Sequence, residues 1–449
     1  MLPVTRFAPL PPFGHPVRGG VTCPAGFKAA GVNAGLKRSG NLDMGVLVSE
    51  QPCVSAVAFT SNAAAAAPVL VTRETSACER LRAVVVNSGN ANACTGEQGM
   101  DDAVRMRALA AAELQLPAEA VAVASTGVIG VSLPMPVVEA GIVAAAAAVS
   151  SAGGDDFANA IRTSDISDKH GALKLSLKAG EVHLGVACKG AGMISPNMAT
   201  MLCFVTTDAA VSAADWQEIL RAAVAASFNR ITVDGQESTN DTVIGFANGA
   251  SGVQVAGADL DDLAAALQSV LITMAVAIVA DGEGSTKTVR LRVDGAHDDH
   301  EAEAVARAVA NSPLVKAAFF GRDPNWGRIV QAAGQAIGQA SGHVAGQAGG
   351  QATGRRQAGS LIASIDYGEV SVLSDGKPVA LSDGQRDRLK AIMDEPEIDL
   401  RITLNGRAAS ATPSATLGAT PSATPGASST IYFSDLTHGY VTFNAEYTT

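Results

Sequence analysis

Short apolar runs that each break off in a polar turn, and are each followed by a long alanine-rich stretch, recur along this chain. That alternation restricts it to layered α/β architectures with loops gathered at strand ends. Residues 81–87 (LRAVVVN) read as a strand entering the polar segment SGNAN at 88–92, and residues 103–114 as a helix. Residues 121–124 (VAVA) are again strand-like and meet the turn Ser125-Thr126-Gly127; a helix over 137–148 follows, closed by SSAGG at 150–154. Turns so placed are where binding and catalytic groups collect.

The 449 residues suffice for two or three domains at roughly 150 residues each. With 47% apolar and 17% charged residues the chain can bury a large core, and its net charge of −11 argues against nucleic acid or an anionic membrane as partner. Two stretches read as low-complexity loops: 338–359, rich in glycine, alanine and glutamine, and 408–429, repeating a Ser-Ala-Thr-Pro theme. We expect a main domain over 1–289 and a smaller C-terminal α/β domain over 290–449. The apolar segment 263–280 lacks the basic and aromatic flanks of a membrane span and reads as a buried helix. Prolines interrupt the N-terminal segment where a secretory leader needs an unbroken apolar run. Six cysteines without a C-x-x-C pair read as reduced, buried thiols, so a cytoplasmic location is expected.

Several familiar signals fail. His297-Asp298-Asp299-His300-Glu301 has metal-ligand residue types but reads as a solvated turn before a helix. The GAGMIS run at 190–195 lacks the third glycine of a dinucleotide loop, and GEGSTKT at 282–288 carries Thr286 where a phosphate loop needs glycine. No metal or resident cofactor is expected.

The informative segment is 189–205, KGAGMISPNMATMLCFV. The Thr200 hydroxyl lies close to the carbonyl of Ala199, and attack on it shifts the chain from amide to ester. Hydrolysis then frees Thr200 as an N-terminus, whose α-amine, with a pKa of about 8, can act as base for its own hydroxyl. On the residues alone, an ordinary strand start remains the commoner reading of Ala199-Thr200.

The run from Lys189 to Leu202 resembles the signature of the ornithine acetyltransferase family, bifunctional enzymes of arginine biosynthesis. Segments 26–47, 85–99, 125–130 (STGVIG) and 227–242 resemble the family too. So do 281–287 (DGEGSTK), 320–329 (FGRDPNWGRI) and 435–449, so the likeness spans nearly the whole chain. It implies a layered sandwich of N-terminal-nucleophile-like type, cleaved between Ala199 and Thr200 into chains 1–199 and 200–449, paired as (αβ)2. It implies acetyl transfer from N-acetylornithine to glutamate through a Thr200 ester, with acetyl-CoA a second donor in many members. Thr126 and Gly127 match the oxyanion hole. Thr163, Lys189, Thr200, Glu283, Asn444 and Thr449 match substrate contacts. Ile166 stands where the family has threonine.

Two rivals make different predictions. An N-terminal-threonine amidase or aminopeptidase would use the same Thr200 with water as acceptor. A non-catalytic binding protein with glycine-rich anion loops would remain one unbroken chain.

Overall fold

The computed structural model describes residues 2–195, 201–348, 361–405 and 426–446, which fall into two compact units, one ending at Glu283 and one running from Gly284 to Glu446. In the first unit the strands are β1 (Gly14–Val17), β2 (Phe27–Val32), β3 (Met44–Ser49), β4 (Val54–Phe59), β5 (Ala83–Asn90) and β6 (Val121–Val128). They continue with β7 (Lys169–Ser176), β8 (Glu181–Lys189), β9 (Leu202–Thr207), β10 (Ile231–Thr232) and β11 (Thr242–Ala247). Its helices are α1 (Ala67–Thr75), α2 (Gly96–Glu113), α3 (Met135–Ala147), α4 (Gly154–Ala160), α5 (Ala213–Ala226) and α6 (Ala258–Ala280).

Two sheets stack here, one ordered β1-β7-β8-β9-β11-β4 and one ordered β2-β3-β5-β6. The unbroken valine run of β5 follows from having both its faces covered. Val84 and Val86 meet Phe204, Ile244 and Phe246 of the six-stranded sheet, whereas Ala83 and Val85 meet Met106, Val138 and Ile142 of α2 and α3. On the far side, Trp216 of α5 donates its Nε1–H to Gly245 O of β11 at 3.0 Å. A side chain at Gly245 would lie 2.9 Å from that indole, so the glycine is what lets the helix approach. Helix, sheet, sheet, helix is the layered sandwich expected. Helix α6 is largely buried, with Leu267, Leu271, Met274 and Ile278 inaccessible to solvent. It is thus a core helix rather than a span.

The second unit contains β12 (Thr288–Ala296), β13 (Ile362–Tyr367), β14 (Val370–Ser374), β15 (Lys377–Pro378), β16 (Glu397–Leu404) and β17 (Ala427–Ser434), ordered β17-β12-β16-β13-β14-β15. Its helices are α7 (Asp299–Ala310), α8 (Pro313–Phe320), α9 (Trp326–Ala348), α10 (Asp383–Asp394) and α11 (His438–Glu446). Alternate residues of β12, Val289, Leu291 and Val293, are buried with Val305, Val309 and Ile337 in one core.

Some local expectations shift. Strands β5 and β6 run on through Asn90 and Val128, so Ser125-Thr126-Gly127 is a strand end rather than a free turn. Helix α9 continues past Gly338 to Ala348; the stripe of Ile329, Ala332, Ala333, Ala336 and Ile337 buries its first half at helical spacing, and alanine and glutamine, good helix formers, recur in the part beyond. Strand β17 begins at Ala427, inside the second expected loop, where pairing with β12 compensates for its weak composition. Cys94 is exposed rather than buried. Asp298 caps α7 by accepting from Glu301 N, which accounts for the acidic cluster there. The broken phosphate loop closes on a carboxylate instead: Asp435 accepts from the amides of Thr286 and Lys287 and from the Thr286 hydroxyl.

Candidate active site

Parallel pairing of β5 with β6 sets Ser88 beside Thr126 and Gly89 beside Gly127. Gly127 has φ of 136°, and a Cβ there would sit 2.3 Å from Gly89 C, so only glycine permits this approach. Buried amides hold the strand ends in place. Ser125 Oγ donates to Asn87 Oδ1 at 2.6 Å, and Asn240 Nδ2 donates to Ser125 O at 2.9 Å and Ala91 O at 2.7 Å. Lys189, the last residue of β8, reaches across with its Nζ to donate to Thr126 Oγ1 at 3.2 Å. Both side chains are buried. The Thr126 hydroxyl accepts from a cation and keeps its own proton to donate, an arrangement suited to a developing oxyanion. Burial pushes the Lys189 ammonium below the usual lysine range, with Asp165 offsetting part of that fall.

A chain of charges ties the surrounding loops to Lys189. Asp165 Oδ1 accepts from Gly190 N at 2.7 Å and pairs with Lys169 Nζ at 2.7 Å, and its Oδ2 accepts from Thr163 N at 3.0 Å. Lys169 also pairs with Asp281 at 2.5 Å. Burial alone would raise Asp165, but Lys169, Lys189 and the Gly190 amide together hold it well below the carboxylate range. Ser164 Oγ donates to Glu283 Oε1 at 2.7 Å, and Glu283 N donates to Ala191 O at 3.1 Å. A Cβ on Gly192 would lie 2.5 Å from the Glu283 carboxylate, so that glycine makes room for it. Thr163, Lys189 and Glu283 are therefore drawn together through Asp165, Ser164 and Ala191. Ile166 is 77% exposed and engages Asp281 through its backbone N–H, so losing the family's hydroxyl there leaves the loop's anchorage intact.

Ala199 and Thr200 lie outside the described residues, but the chain on either side is pinned. Asp234 accepts from Met193 N at 2.6 Å and Ile194 N at 2.9 Å. Met201 N donates to Asp241 Oδ1 at 2.9 Å, and β9 then starts with Leu202 paired to Lys189. Asp241 is buried, its Oδ2 meets no hydrogen-bond donor among the described residues, and burial lifts its carboxyl well above the ordinary range. Asn444 lies on α11, where its Nδ2 donates to Tyr440 O at 3.0 Å. Thr449 lies outside the described residues.

A cavity of about 680 Å³ opens beside the strand ends, lined among others by Lys37, Arg38, Gly89, Asn90, Val128 and Thr163. Sequence reasoning missed Lys37, Asp43, Asp165 and Asp241. Each is an isolated charged residue whose meaning comes from neighbours remote in the chain. Lys37 and Asp43 lie in the 26–47 segment and Asp241 in the 227–242 segment, so the family likeness marked their surroundings without giving any of them a role.

The ArgJ family model matches residues 28–449. The arginine biosynthesis bifunctional protein ArgJ of Symbiobacterium thermophilum is 44% identical over 96% of this chain and 99% of its own length. That of Synechococcus is 42% identical over 96% of this chain and 98% of its own. Among solved structures, an ornithine acetyltransferase of Mycobacterium tuberculosis complexed with ornithine is 44% identical, with a TM-score of 0.38, over 41% of this chain and 98% of its own.

Proposed function

This chain belongs to the ArgJ family and is an acetyltransferase of arginine biosynthesis, and from that premise we propose a two-step acetyl exchange at the Thr126–Lys189 site. Thr200 is first freed as an N-terminus by attack of its hydroxyl on the Ala199 carbonyl and hydrolysis of the resulting ester. Its α-amine then takes the hydroxyl proton as Thr200 Oγ adds to the acetyl carbonyl of N-acetylornithine. Thr126 Oγ–H and Gly127 N–H hold the negative oxygen. The C–N bond breaks, ornithine leaves with the proton, and the acetyl group remains as an ester on Thr200. Glutamate's α-amine attacks that ester through the same oxyanion contacts, giving N-acetylglutamate and free Thr200.

One observation carries the reading: the Lys189–Thr126 contact of 3.2 Å lies where β9 begins, two residues beyond Thr200. Lys189 is suited to the α-carboxylate that both substrates share, and Glu283 to the ornithine ammonium. The family likeness assigns Asn444 and Thr449 to substrate contact as well. Acetyl-CoA as a second donor fits the relatives' bifunctional name, and an (αβ)2 assembly and a cytoplasmic location belong to the same reading.

The test mixes purified protein with N-acetylornithine, with and without glutamate, and follows both products by mass spectrometry. N-acetylglutamate forming only with glutamate, and lost in Thr200→Ala, is the expected result. Deacetylation at the same rate without glutamate would make the protein an amidase.

A further inference from the structure

The two substrates of the proposed exchange share an α-carboxylate and differ at the far end: the donor carries an ammonium and the acceptor a second carboxylate. Glu283 answers the ammonium. Nothing assigned above answers the second carboxylate.

The loop that leads into the cavity is built to hold a cation there. Asp43, fully buried, accepts four successive backbone amides: Ala34 at 2.6 Å, Gly35 at 3.2 Å, Leu36 at 2.6 Å and Lys37 at 3.0 Å. A carboxylate gathering four amides leaves the loop little freedom, so the side chains it presents are held in advance of a ligand. The Lys37 stem packs over the strand end, and a Cβ at Gly89 would lie 3.2 Å from Lys37 Cγ. Gly89 is the register partner of Gly127, so this stem crosses directly beside the strand end that carries the proposed oxyanion contacts. Leu42 O takes one Lys37 Nζ–H at 2.7 Å, leaving two donors for a ligand. Arg38 and Ser39 extend the same wall, and Asn90, Val128 and Thr163 close the cavity around it.

We propose that Lys37 and Arg38 form the subsite for the side-chain carboxylate of the acidic acceptor, and that this subsite selects glutamate. The inference rests on the acetyl exchange proposed above. It divides labour by charge: Lys189 for the common carboxylate, Glu283 for the donor's ammonium, Lys37 and Arg38 for the carboxylate that the acceptor alone possesses.

The acceptor pair glutamate and glutamine, equal in shape and different in charge, tests it. With N-acetylornithine as donor, kcat/KM is measured for each acceptor in the wild-type enzyme, Lys37→Gln, Lys37→Arg and Arg38→Gln. The glutamate-to-glutamine ratio should fall at least tenfold in Lys37→Gln, recover in large part in Lys37→Arg, and fall severalfold in Arg38→Gln. A ratio is taken within one preparation, so loss of folded enzyme cancels. If Lys37→Gln does not fold, the exposed Arg38 carries the test alone. Wild-type enzyme that acetylates no glutamate overturns the exchange and the subsite together. Wild-type exchange with an unchanged ratio in both glutamine variants overturns the subsite alone. A raised KM for acetyl-CoA beside an unchanged ratio would assign these cations to a donor phosphate and overturn it as well.

Discussion

At the scale of single residues, the site depends on two buried hydroxyl and ammonium groups whose sequence positions are 63 apart. Replacing Thr126 by valine keeps its shape and removes the hydroxyl that accepts from Lys189 and that we propose holds the oxyanion. We expect kcat to fall by about 10²–10³-fold, the usual loss for one oxyanion donor, with KM nearly unchanged. Steady-state kinetics on cleaved enzyme would show it. Lys37 supplies a pH dependence. Burial brings its ammonium down to about 8, with Asp43 and Asp165 holding it up and Lys189 and Arg162 pressing it further down. A lysine so depressed is charged below that pH and neutral above it. KM for glutamate should therefore be level in neutral solution and climb above pH 8, while KM for glutamine stays flat across the same range. Parallel profiles for the two acceptors would contradict this.

At the scale of elements, the loop over 162–167 is held by a buried ion network rather than by regular structure. Lys169 is 1% exposed and bridges Asp165 and Asp281, which in turn bind backbone amides on both sides of the loop. Removing one partner strands two buried carboxylates, so Lys169→Met should cost about 3–5 kcal/mol in urea unfolding. Asp165 is held as a carboxylate by these cations, so it contributes stability that is present above the unfolded aspartate pKa and fades in strong acid as the pH falls toward its depressed folded value. Strands β5 and β6 and helices α2, α3 and α6 were legible beforehand, because apolar runs and alanine-rich stretches report local burial. Their ends were not. β6 continues through Thr126 and Gly127 because β5 pairs with it to Gly89, a bond between segments that no local pattern records. Strand β17 intrudes on an expected loop for the same reason: a neighbouring strand outweighs weak composition.

At the scale of the molecule, two predictions concern the continuity of the chain. The purified protein should run as two polypeptides, the second beginning Thr-Met-Leu-Cys, and Thr200→Ala should run as one band of 45.3 kDa. A single wild-type band on denaturing gels would refute self-cleavage. In the second unit, β16 and β17 flank β12 on opposite sides, with Thr403 beside Asp294 and Ala427 beside Ala296. Their facing ends are thus about 10 Å apart, two strand spacings, a distance that four residues can span. Replacing 406–425 by a four-residue glycine-serine linker should leave Tm and transfer rate within error, as calorimetry and kinetics would verify.

The sequence by itself determined the layered α/β class, the family likeness and the candidates Thr126, Gly127, Lys189, Thr200 and Glu283, because periodicity and long motifs are written in consecutive residues. Only the tertiary structure decided that Lys189 meets Thr126, that Asp165 and Lys169 brace the loop bearing Thr163, and that Lys37 stands over Gly89. The Lys189–Thr126, Lys169–Asp281 and Lys37–Gly89 contacts join groups far apart along the chain. Their geometry is set by how strands register and sheets stack, and packing, unlike propensity, is a property of the whole fold.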